Sequence, residues 1–295
     1  MTVSPNIKYI FLFLSFIYTQ SVFSHEGKNH EKSFSYSFMA IGVENITYKE
    51  RSEKIPITTS VDVSNPVLSS GGLYTFNDNW DFTIIATSTM SSDISTENWS
   101  VNNNTAGSQF KTDFGLQSNT LQSNDFTFAT ASTNVSIHYK FNQSWRLILD
   151  GGFSYNTFKR SNFNSLSENY VNSTVVEESV SDFSMNTGIG YEKGNVAKGE
   201  TQFSFKALAG IPLWNETTNT QYQGVKFKNQ KGYDLELSTS VYYPIYSGLS
   251  AGIFANYHIK ERDGISVNKN NVSLELPKNK LQALRLGAGF KWNFE

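Results

Sequence analysis

Residues 249–260, LSAGIFANYHIK, alternate apolar side chains with small or polar ones at every position except Phe254. The segment LRLGAGFKWNF at residues 284–294 repeats this pattern. Because successive side chains of a β-strand point to opposite faces, each segment predicts a strand with one apolar and one polar face. The spacing of apolar residues along an amphipathic helix fits neither segment, so the period of two indicates an all-β fold.

The same alternation recurs along the chain and predicts about ten strands. They are expected near residues 33–49, 66–76, 80–90, 126–141, 145–158, 180–191, 200–213, 232–245, 249–260 and 280–294. Most of these segments are longer than the usual ~5–6 residues of a strand in a soluble sheet. A tilted strand needs about 9–11 residues to cross a bilayer. The sequence therefore predicts a transmembrane up-and-down antiparallel β-barrel of about ten strands.

The connections between these segments alternate between short and long. The short ones, rich in turn-forming residues, lie at 77–79, 142–144, 192–199 and 246–248. The long ones lie at 50–65, 91–125, 159–179, 214–231 and 261–279. Outer-membrane barrels have short periplasmic turns and long extracellular loops. We expect residues 33–295 to form such a barrel, and segment 91–125 is long enough to contain a further hairpin, which would give twelve strands.

The N-terminal segment has the pattern of an export signal. Lys8 precedes an apolar run from Tyr9 to Tyr18, and Val22, Phe23 and Ser24 follow it. A basic start, a short apolar core and a small-residue exit are typical of a secretory signal peptide. We expect cleavage after Ser24, which leaves residues 25–32 as a periplasmic tail.

The composition excludes several classes of function. The chain has 295 residues, no cysteine, 17% charged residues and a formal net charge of -2. Such a chain has no basic surface for nucleic acid, no cysteine-ligated metal and no disulfide framework. We expect no cofactor and no metal site.

The final strand resembles the C-terminal strand of the Gram-negative outer-membrane barrel class. The resemblance rests on the alternating residues Leu286, Ala288, Phe290, Trp292 and Phe294, and this sequence departs from the class because Glu295 follows the terminal aromatic. It covers the barrel by pattern and identifies no single family. It implies location in the cell outer membrane, contact with outer-membrane lipid and lipopolysaccharide, and recognition by the barrel assembly machinery during biogenesis.

If the apolar face of each strand meets lipid, the polar face lines the lumen. The charged and titratable residues assigned to that face are Arg146, Asp150, Asp182, Lys206, Asp234, Glu236, His258, Lys260, Arg285 and Lys291. Opposite charges tend to occupy neighbouring strands, and barrels of about eight strands have interiors that side chains just fill. The sequence predicts a lumen plugged by paired charges. The alternative is a narrow channel for small or apolar solutes.

The remaining polar residues favour a structural or surface-binding role over catalysis. Ten-stranded barrels include the omptin proteases, whose activity is associated with paired Asp residues and an Asp–His couple at the outer rim. Asp93 and His258 are candidates for that rim, but Asn256 stands where an Asp-x-His motif would place its acid. We predict no enzyme, with a rim hydrolase as the least favoured alternative. A binding role would use the long loops, where Trp99 and Trp214 are the candidate contact aromatics.

Overall fold

The strands of this chain close into a ring. The computed structural model describes residues 35–52, 54–102, 104–113, 115–116, 118–165, 175–269 and 272–293. Its strands are β1 (Tyr36–Arg51), β2 (Ile57–Asn77), β3 (Trp80–Thr89), β4 (Ser95–Val101), β5 (Thr120–Lys140), β6 (Trp145–Ser165), β7 (Val176–Lys193), β8 (Gln202–Asn219), β9 (Lys226–Lys228), β10 (Gly232–Tyr246), β11 (Leu249–Arg262), β12 (Ile265–Lys269), β13 (Val272–Leu276) and β14 (Lys278–Asn293). One α-helix, α1 (Thr105–Asp113), follows β4. The predicted signal peptide and tail lie outside the described residues.

Ten of these strands form the wall. They pair antiparallel in the order β1, β2, β3, β5, β6, β7, β8, β10, β11 and β14, and β1 pairs with both β2 and β14, which closes the ring. The prediction of an antiparallel barrel of about ten strands is confirmed. Within the described residues, the structure contains no helix with the length and hydropathy that a membrane crossing requires.

The segment 91–125 does not widen the ring to twelve strands. β4 pairs with β2 and β5, the two neighbours of β3, and so continues β3 after the interruption at residues 90–94. Asn65 bridges the interruption, because its side-chain amide donates to the carbonyl of Phe128 at 2.8 Å and its oxygen accepts from the backbone N–H of Asp93 at 3.1 Å. The extra strand therefore adds height to the wall and leaves its circumference unchanged.

The outer surface of the wall carries an apolar belt. We use that name for exposed, outward-facing side chains that include Met39, Ile41, Val135, Leu147, Leu149, Ile189, Ile211, Leu237, Ile253, Leu286 and Phe290. Soluble monomers rarely expose this many large apolar side chains on one continuous surface. At the end of the barrel with the short turns, aromatic pairs border the belt, with ring centroids 4.9 Å apart for Trp80 and Tyr139 and 5.1 Å apart for Trp145 and Tyr191. This is the arrangement of an aromatic girdle at a membrane interface.

The predicted long loops were wrong in their bounds, because the wall continues well above the belt. β2 begins at Ile57, β5 at Thr120, β6 ends at Ser165 and β8 at Asn219. In these upper parts the outward residues become polar, as at Asp62 and Lys159, while the inward residues include apolar side chains such as Phe126 and Phe158. A search for strands with apolar outward faces misses this inverted section.

The loop end of the barrel carries additional packed structure. α1 begins after Asn104, whose side-chain oxygen accepts from the backbone N–H of Gly107 at 2.8 Å. Phe110 of this helix packs against a small core of Ile57, Val101 and Leu121. The hairpin β12–β13 covers a second core around Phe227. The loop end is therefore an ordered surface supported by two cores of its own.

Candidate functional site

The end of the lumen with the short turns is crossed by a four-residue ion network. The carboxylate of Asp81 is fully buried and lies 2.8 Å from Lys140 Nζ and 3.1 Å from Arg146 Nη1. Arg146 Nη2 lies 2.7 Å from Glu192. These four residues come from β3, β5, β6 and β7, so the network ties one side of the wall together across the inner face.

Lys291 closes the opposite side of this end. Its ammonium nitrogen lies 3.9 Å from the ring centroid of Tyr242 and 4.5 Å from that of Tyr36, and it donates to Gln202 Oε1 at 2.8 Å. A cation held against two aromatic faces gains both electrostatic attraction and packing. The ammonium group and the two rings fill the space between β1, β8 and β10.

The middle of the lumen contains a cavity of about 300 Å³. Lys206 and Glu236 line it as an ion pair at 2.7 Å, and Arg285 pairs with Glu44 at 2.6 Å. Phe38, Ile85 and Phe254 supply its apolar lining. The cavity is thus a mixed polar and apolar chamber between charged layers.

Asp150 differs from its neighbours because amides and a hydroxyl satisfy it instead of a cation. It accepts from Ser136 Oγ at 2.7 Å, Asn186 Nδ2 at 2.9 Å and Asn134 Nδ2 at 3.1 Å. Three donors to one carboxylate offset much of the cost of burying its charge.

In the upper part of the lumen, Arg262 forms ion pairs with carboxylates of two other strands. Its guanidinium lies 2.8 Å from Asp182 and 2.6 Å from Asp234, two residues on different strands. Lys260 donates to Ser154 Oγ at 2.9 Å and lies 4.0 Å from Asp182. One buried arginine therefore joins β7, β10 and β11.

Charges in this part of the lumen balance. The described inward carboxylates at belt height, Glu44, Asp81, Asp150, Asp182, Glu192, Asp234 and Glu236, equal in number the cations Lys140, Arg146, Lys206, Lys260, Arg262, Arg285 and Lys291. A ring of one sign, which marks an ion-selective pore, is not present among these residues. We call this set the lumen network.

Above the lumen network, apolar side chains cross the lumen. We call them the apolar seal, and its members are Ile46, Tyr48, Val61, Val63, Phe126, Phe128, Phe158, Leu281 and Ala283. Phe158 is at its centre, with ring centroids 4.8 Å from Tyr48, 5.0 Å from Phe128 and 5.9 Å from Phe126. These rings come from β1, β5 and β6 and meet inside the barrel.

An acid-rich cluster covers the apolar seal. Arg160 makes a two-pronged contact with Glu97, at 2.7 and 2.9 Å, and lies 3.0 Å from Glu50. Glu178 is buried close by and accepts from Asn219 Nδ2 at 3.1 Å. We call these residues the acid cluster. It holds three carboxylates and one guanidinium, so it is not charge-balanced when fully ionised.

Every residue that the sequence assigned to the lumen faces inward in the structure. Most of them join an ion pair or a charge-assisted hydrogen bond, whereas His258 lines the cavity opposite Glu236 in the β10–β11 register. Four inward residues were not among the predicted lumen residues, because they fall in segments predicted as loops: Arg262, Arg160, Glu97 and Glu178. Asp81 was identifiable, since it stands between the outward residues Trp80 and Phe82.

The proposed rim and loop residues lie in different places from those expected. His258 is inside the lumen, while Asp93 is exposed on the interruption after β3, and no hydrogen bond joins them in the described chain. Trp99 is not a free loop aromatic, because its Nε1 donates to Asn124 at 2.6 Å and it packs near Arg160. Trp214 is exposed but belongs to β8, beside a register shift. Among the described residues, no group of three His, Cys, Asp or Glu side chains is placed to hold a metal.

Acid should stabilise the loop end through Glu178, which lies above the apolar belt. Burial and the nearby Glu50 raise the pKa of Glu178 to about 7, against the opposing effect of Arg160. A carboxyl with a raised folded-state pKa contributes stability that is fully present below its unfolded pKa and is lost as the pH rises through 7. We expect the loop end to lose about 3 kcal/mol of local stability between pH 4.5 and pH 8.

Hydrogen exchange of β6 and β7 amides above the belt, corrected for intrinsic rates, would measure this change. The Glu178→Gln variant should remove most of the pH dependence and retain protection at pH 8. Protection that is equally pH-dependent in the wild type and in this variant would show that another group titrates.

Comparison with known proteins identifies the fold. No family model and no curated protein matches the chain. The crystal structure of the outer membrane protease OmpT from Escherichia coli aligns with a TM-score of 0.58 and 10% identity, covering 90% of this chain and 99% of that one. OprG from Pseudomonas aeruginosa aligns with a TM-score of 0.38 and 13% identity over 89% of this chain and 97% of that one. The translocator domain of the autotransporter NalP from Neisseria meningitidis aligns with a TM-score of 0.37 and 12% identity over 98% of each chain.

The likeness to OmpT extends over almost the whole described ring, and at this identity it concerns architecture alone. The closed antiparallel ring, the apolar belt and the short turns at one end agree with it. The chain therefore has the fold of the Gram-negative outer-membrane β-barrels, with a salt-bridge network buried in its lumen.

Proposed function

We propose that this chain is a non-conducting, non-enzymatic barrel of the outer membrane with a structural or surface-binding role. The barrel would anchor the protein, and the wall above the belt would present its ordered loop end outside the cell. The predicted signal peptide at residues 1–24 is the expected route of export.

The apolar seal is the observation that carries the proposal. Tyr48, Phe126 and Phe158 meet inside the barrel directly above the lumen network, and all three are buried. Hydrophobic constrictions block ion flow because water leaves them. Ions would have to cross both this apolar layer and the balanced charges below it, so the arrangement supports a closed lumen.

The geometry also favours a non-enzymatic role, although OmpT is a protease. The candidate acid Asp93 and the candidate base His258 do not contact each other, and His258 faces the lumen. General acid–base or nucleophilic catalysis needs such groups within hydrogen-bond reach. A rim hydrolase therefore has no assembled pair at these positions.

The loop end has the properties of a binding surface. α1 and the hairpin β12–β13 are fixed by their own small cores, around Val101 and Phe227 respectively. Loops held on a rigid scaffold are a common place for recognition. We infer that an external partner would bind here and not inside the barrel.

Planar-bilayer recording tests the closed lumen. The refolded mature protein should give no stable conductance steps, while its heat-modifiable migration in detergent shows that it is folded. The cavity of about 300 Å³ favours the alternative, a narrow channel for small or apolar solutes. Stable open steps from the folded protein would support that alternative and contradict the closed-lumen proposal.

A further inference from the structure

An amine, a carboxylate and a side-chain amide meet on three consecutive strands of the lumen wall. Lys206 Nζ of β8 lies 2.7 Å from Glu236 Oε1 of β10, and Asn256 Nδ2 of β11 donates to the same oxygen at 2.9 Å. The register sets Lys206 and Asn256 on either side of Ser238. A small serine, and not a bulky side chain, therefore stands between them. We call Lys206, Glu236 and Asn256 the amide triad.

The shared oxygen brings the lysine nitrogen close to the carbonyl carbon of the asparagine. Nζ of Lys206 and Nδ2 of Asn256 are both within hydrogen-bond distance of one atom, so they are near neighbours, and Cγ of Asn256 is one bond beyond Nδ2. A lysine side chain has a flexible four-carbon stem. A rotation within this stem therefore brings the amine onto Cγ without any movement of the strands.

The surroundings of the amide triad lower the cost of making the amine neutral. Its three members line the central cavity, together with the rings of Phe38 and Phe254. The side chains of Lys206 and Glu236 are each only 20% exposed. Passing one proton from the ammonium to the carboxylate converts an ion pair into a neutral amine and a neutral acid, and burial reduces the cost of that step. A neutral amine is the nucleophilic form of lysine.

Arg285 supplies an N–H group on the other side of the asparagine. It stands opposite Asn256 in the β11–β14 register. Its two terminal nitrogens contact Glu44 and Thr87, whereas its Nε is buried and has no hydrogen-bond partner among the described residues. A donor beside a carbonyl stabilises the negative charge that develops on the oxygen when a nucleophile attacks. Nε of Arg285 is thus placed to support attack on Asn256.

The other lysines of the lumen network have different surroundings. Lys140 shares the carboxylate of Asp81 with a hydroxyl group. Lys260 donates to a serine, and Lys291 donates to a glutamine. Among the described lysines of the lumen, Lys206 is thus the one whose carboxylate partner also binds a side-chain amide through the same oxygen.

We propose that the amide triad forms an isopeptide bond between Lys206 and Asn256, with Glu236 as the proton carrier. Glu236 takes one proton from the ammonium group, and the neutral Nζ attacks Cγ of Asn256. Glu236 then gives its proton to Nδ2 and takes a second proton from Nζ in exchange. The Cγ–Nδ2 bond breaks, and neutral ammonia leaves into the cavity. Glu236 ends protonated, so the lumen network loses one positive and one negative charge together.

The bond would tie β8 to β11 across β10 on the inner face of the wall. The chain contains no cysteine and therefore has no disulfide to join its strands. A covalent link between distant residues restricts the unfolded chain and so stabilises the folded one. This modification is independent of any partner at the loop end and of whether the lumen conducts.

Intact-mass spectrometry of residues 25–295, before and after refolding from urea into detergent micelles, tests the bond. The refolded wild type should be lighter by the mass of one ammonia than the same sample held in urea. After digestion, tandem mass spectrometry should find a branched peptide in which Lys206 is joined to Asn256. A refolded, heat-modifiable wild type that keeps its full mass would overturn the proposal.

Variants of each member assign the roles. Glu236→Gln lacks the proton carrier and should keep its full mass. Lys206→Arg should also keep its full mass, and because it retains the ion pair with Glu236 it gives a folded test even if Glu236→Gln does not fold. Asn256→Asp should lose the mass of one water in place of ammonia. The matched control Lys140→Arg changes a lumen lysine outside the amide triad and should lose one ammonia as the wild type does.

These variants also separate the bond from another source of ammonia. An asparagine that cyclises onto its own backbone loses the same mass without involving a lysine. Loss of ammonia from folded Lys206→Arg, or a mass loss without a branched peptide, would show that reaction and would contradict the isopeptide bond.

Discussion

Replacing Arg160 by methionine is expected to destabilise the loop end of the barrel by about 3–5 kcal/mol. The guanidinium makes two hydrogen bonds to Glu97, which is fully buried, and an ion pair with Glu50. Without it, carboxylates remain in an interior that offers them no other cation among the described residues. Uncompensated buried charge is one of the most damaging changes that a single substitution makes.

The damage should be confined to the part of the wall above the belt. Limited proteolysis should cut the Arg160→Met variant in β4 and in the upper part of β6, while the heat-modifiable barrel persists in detergent. Lys159→Met is the matched control, because its surface ion pair with Glu177 is exposed and such pairs contribute about 0–1 kcal/mol.

A rescue variant separates the buried charge from the general loss of packing. Replacing a whole buried ion group by apolar or neutral residues is often neutral or stabilising. Glu50→Gln/Glu97→Met/Arg160→Met should therefore regain most of the lost resistance to protease. If this triple variant is as sensitive as Arg160→Met, packing of the guanidinium against Trp99 and Phe126, and not charge, explains the loss.

The belt section of the barrel was predictable from the sequence because lipid imposes one rule on it. Outward side chains must be predominantly apolar, and segments such as Leu249–Lys260 carry only apolar residues on that face. The lumen residues follow from the same alternation, because every second residue of a strand faces inward. Asp182, Lys206 and Asp234 each occupy such an inward position. The alternation predicts which face a side chain occupies, but it does not predict which side chain it pairs with.

The partners could not be predicted because they depend on side-chain reach across the ring. Arg262 bridges Asp182 and Asp234, although it comes from a segment that looked like a loop. Above the belt the rule reverses, since water replaces lipid outside and apolar residues such as Phe126 and Ile46 turn inward. A pattern with apolar residues always on the outward face therefore predicts strands that end too early.

This reversal also determines which residues seal the lumen. Replacing both Phe126 and Phe158 by alanine should open an ion path through the loop end and cost about 3–5 kcal/mol for each ring. The two rings are buried inside the barrel at 5.9 Å from each other, and Phe158 also contacts Tyr48 and Phe128. Methyl groups in their place leave a space that water can enter, and a wetted constriction conducts.

Single-channel recording should detect openings in the double variant that the wild type lacks. Phe153→Ala is the matched control, since Phe153 lies on β6 with Phe158 but is on the outward face and is 45% exposed. That substitution removes a similar ring that is not part of the apolar seal, so it should leave the barrel closed. If the folded Phe126→Ala/Phe158→Ala variant stays as silent as Phe153→Ala, the barrier to ions is the lumen network. The balanced charges around Arg146 and Arg262 would then be sufficient to close the barrel, and the apolar seal would serve to hold up the wall above the membrane.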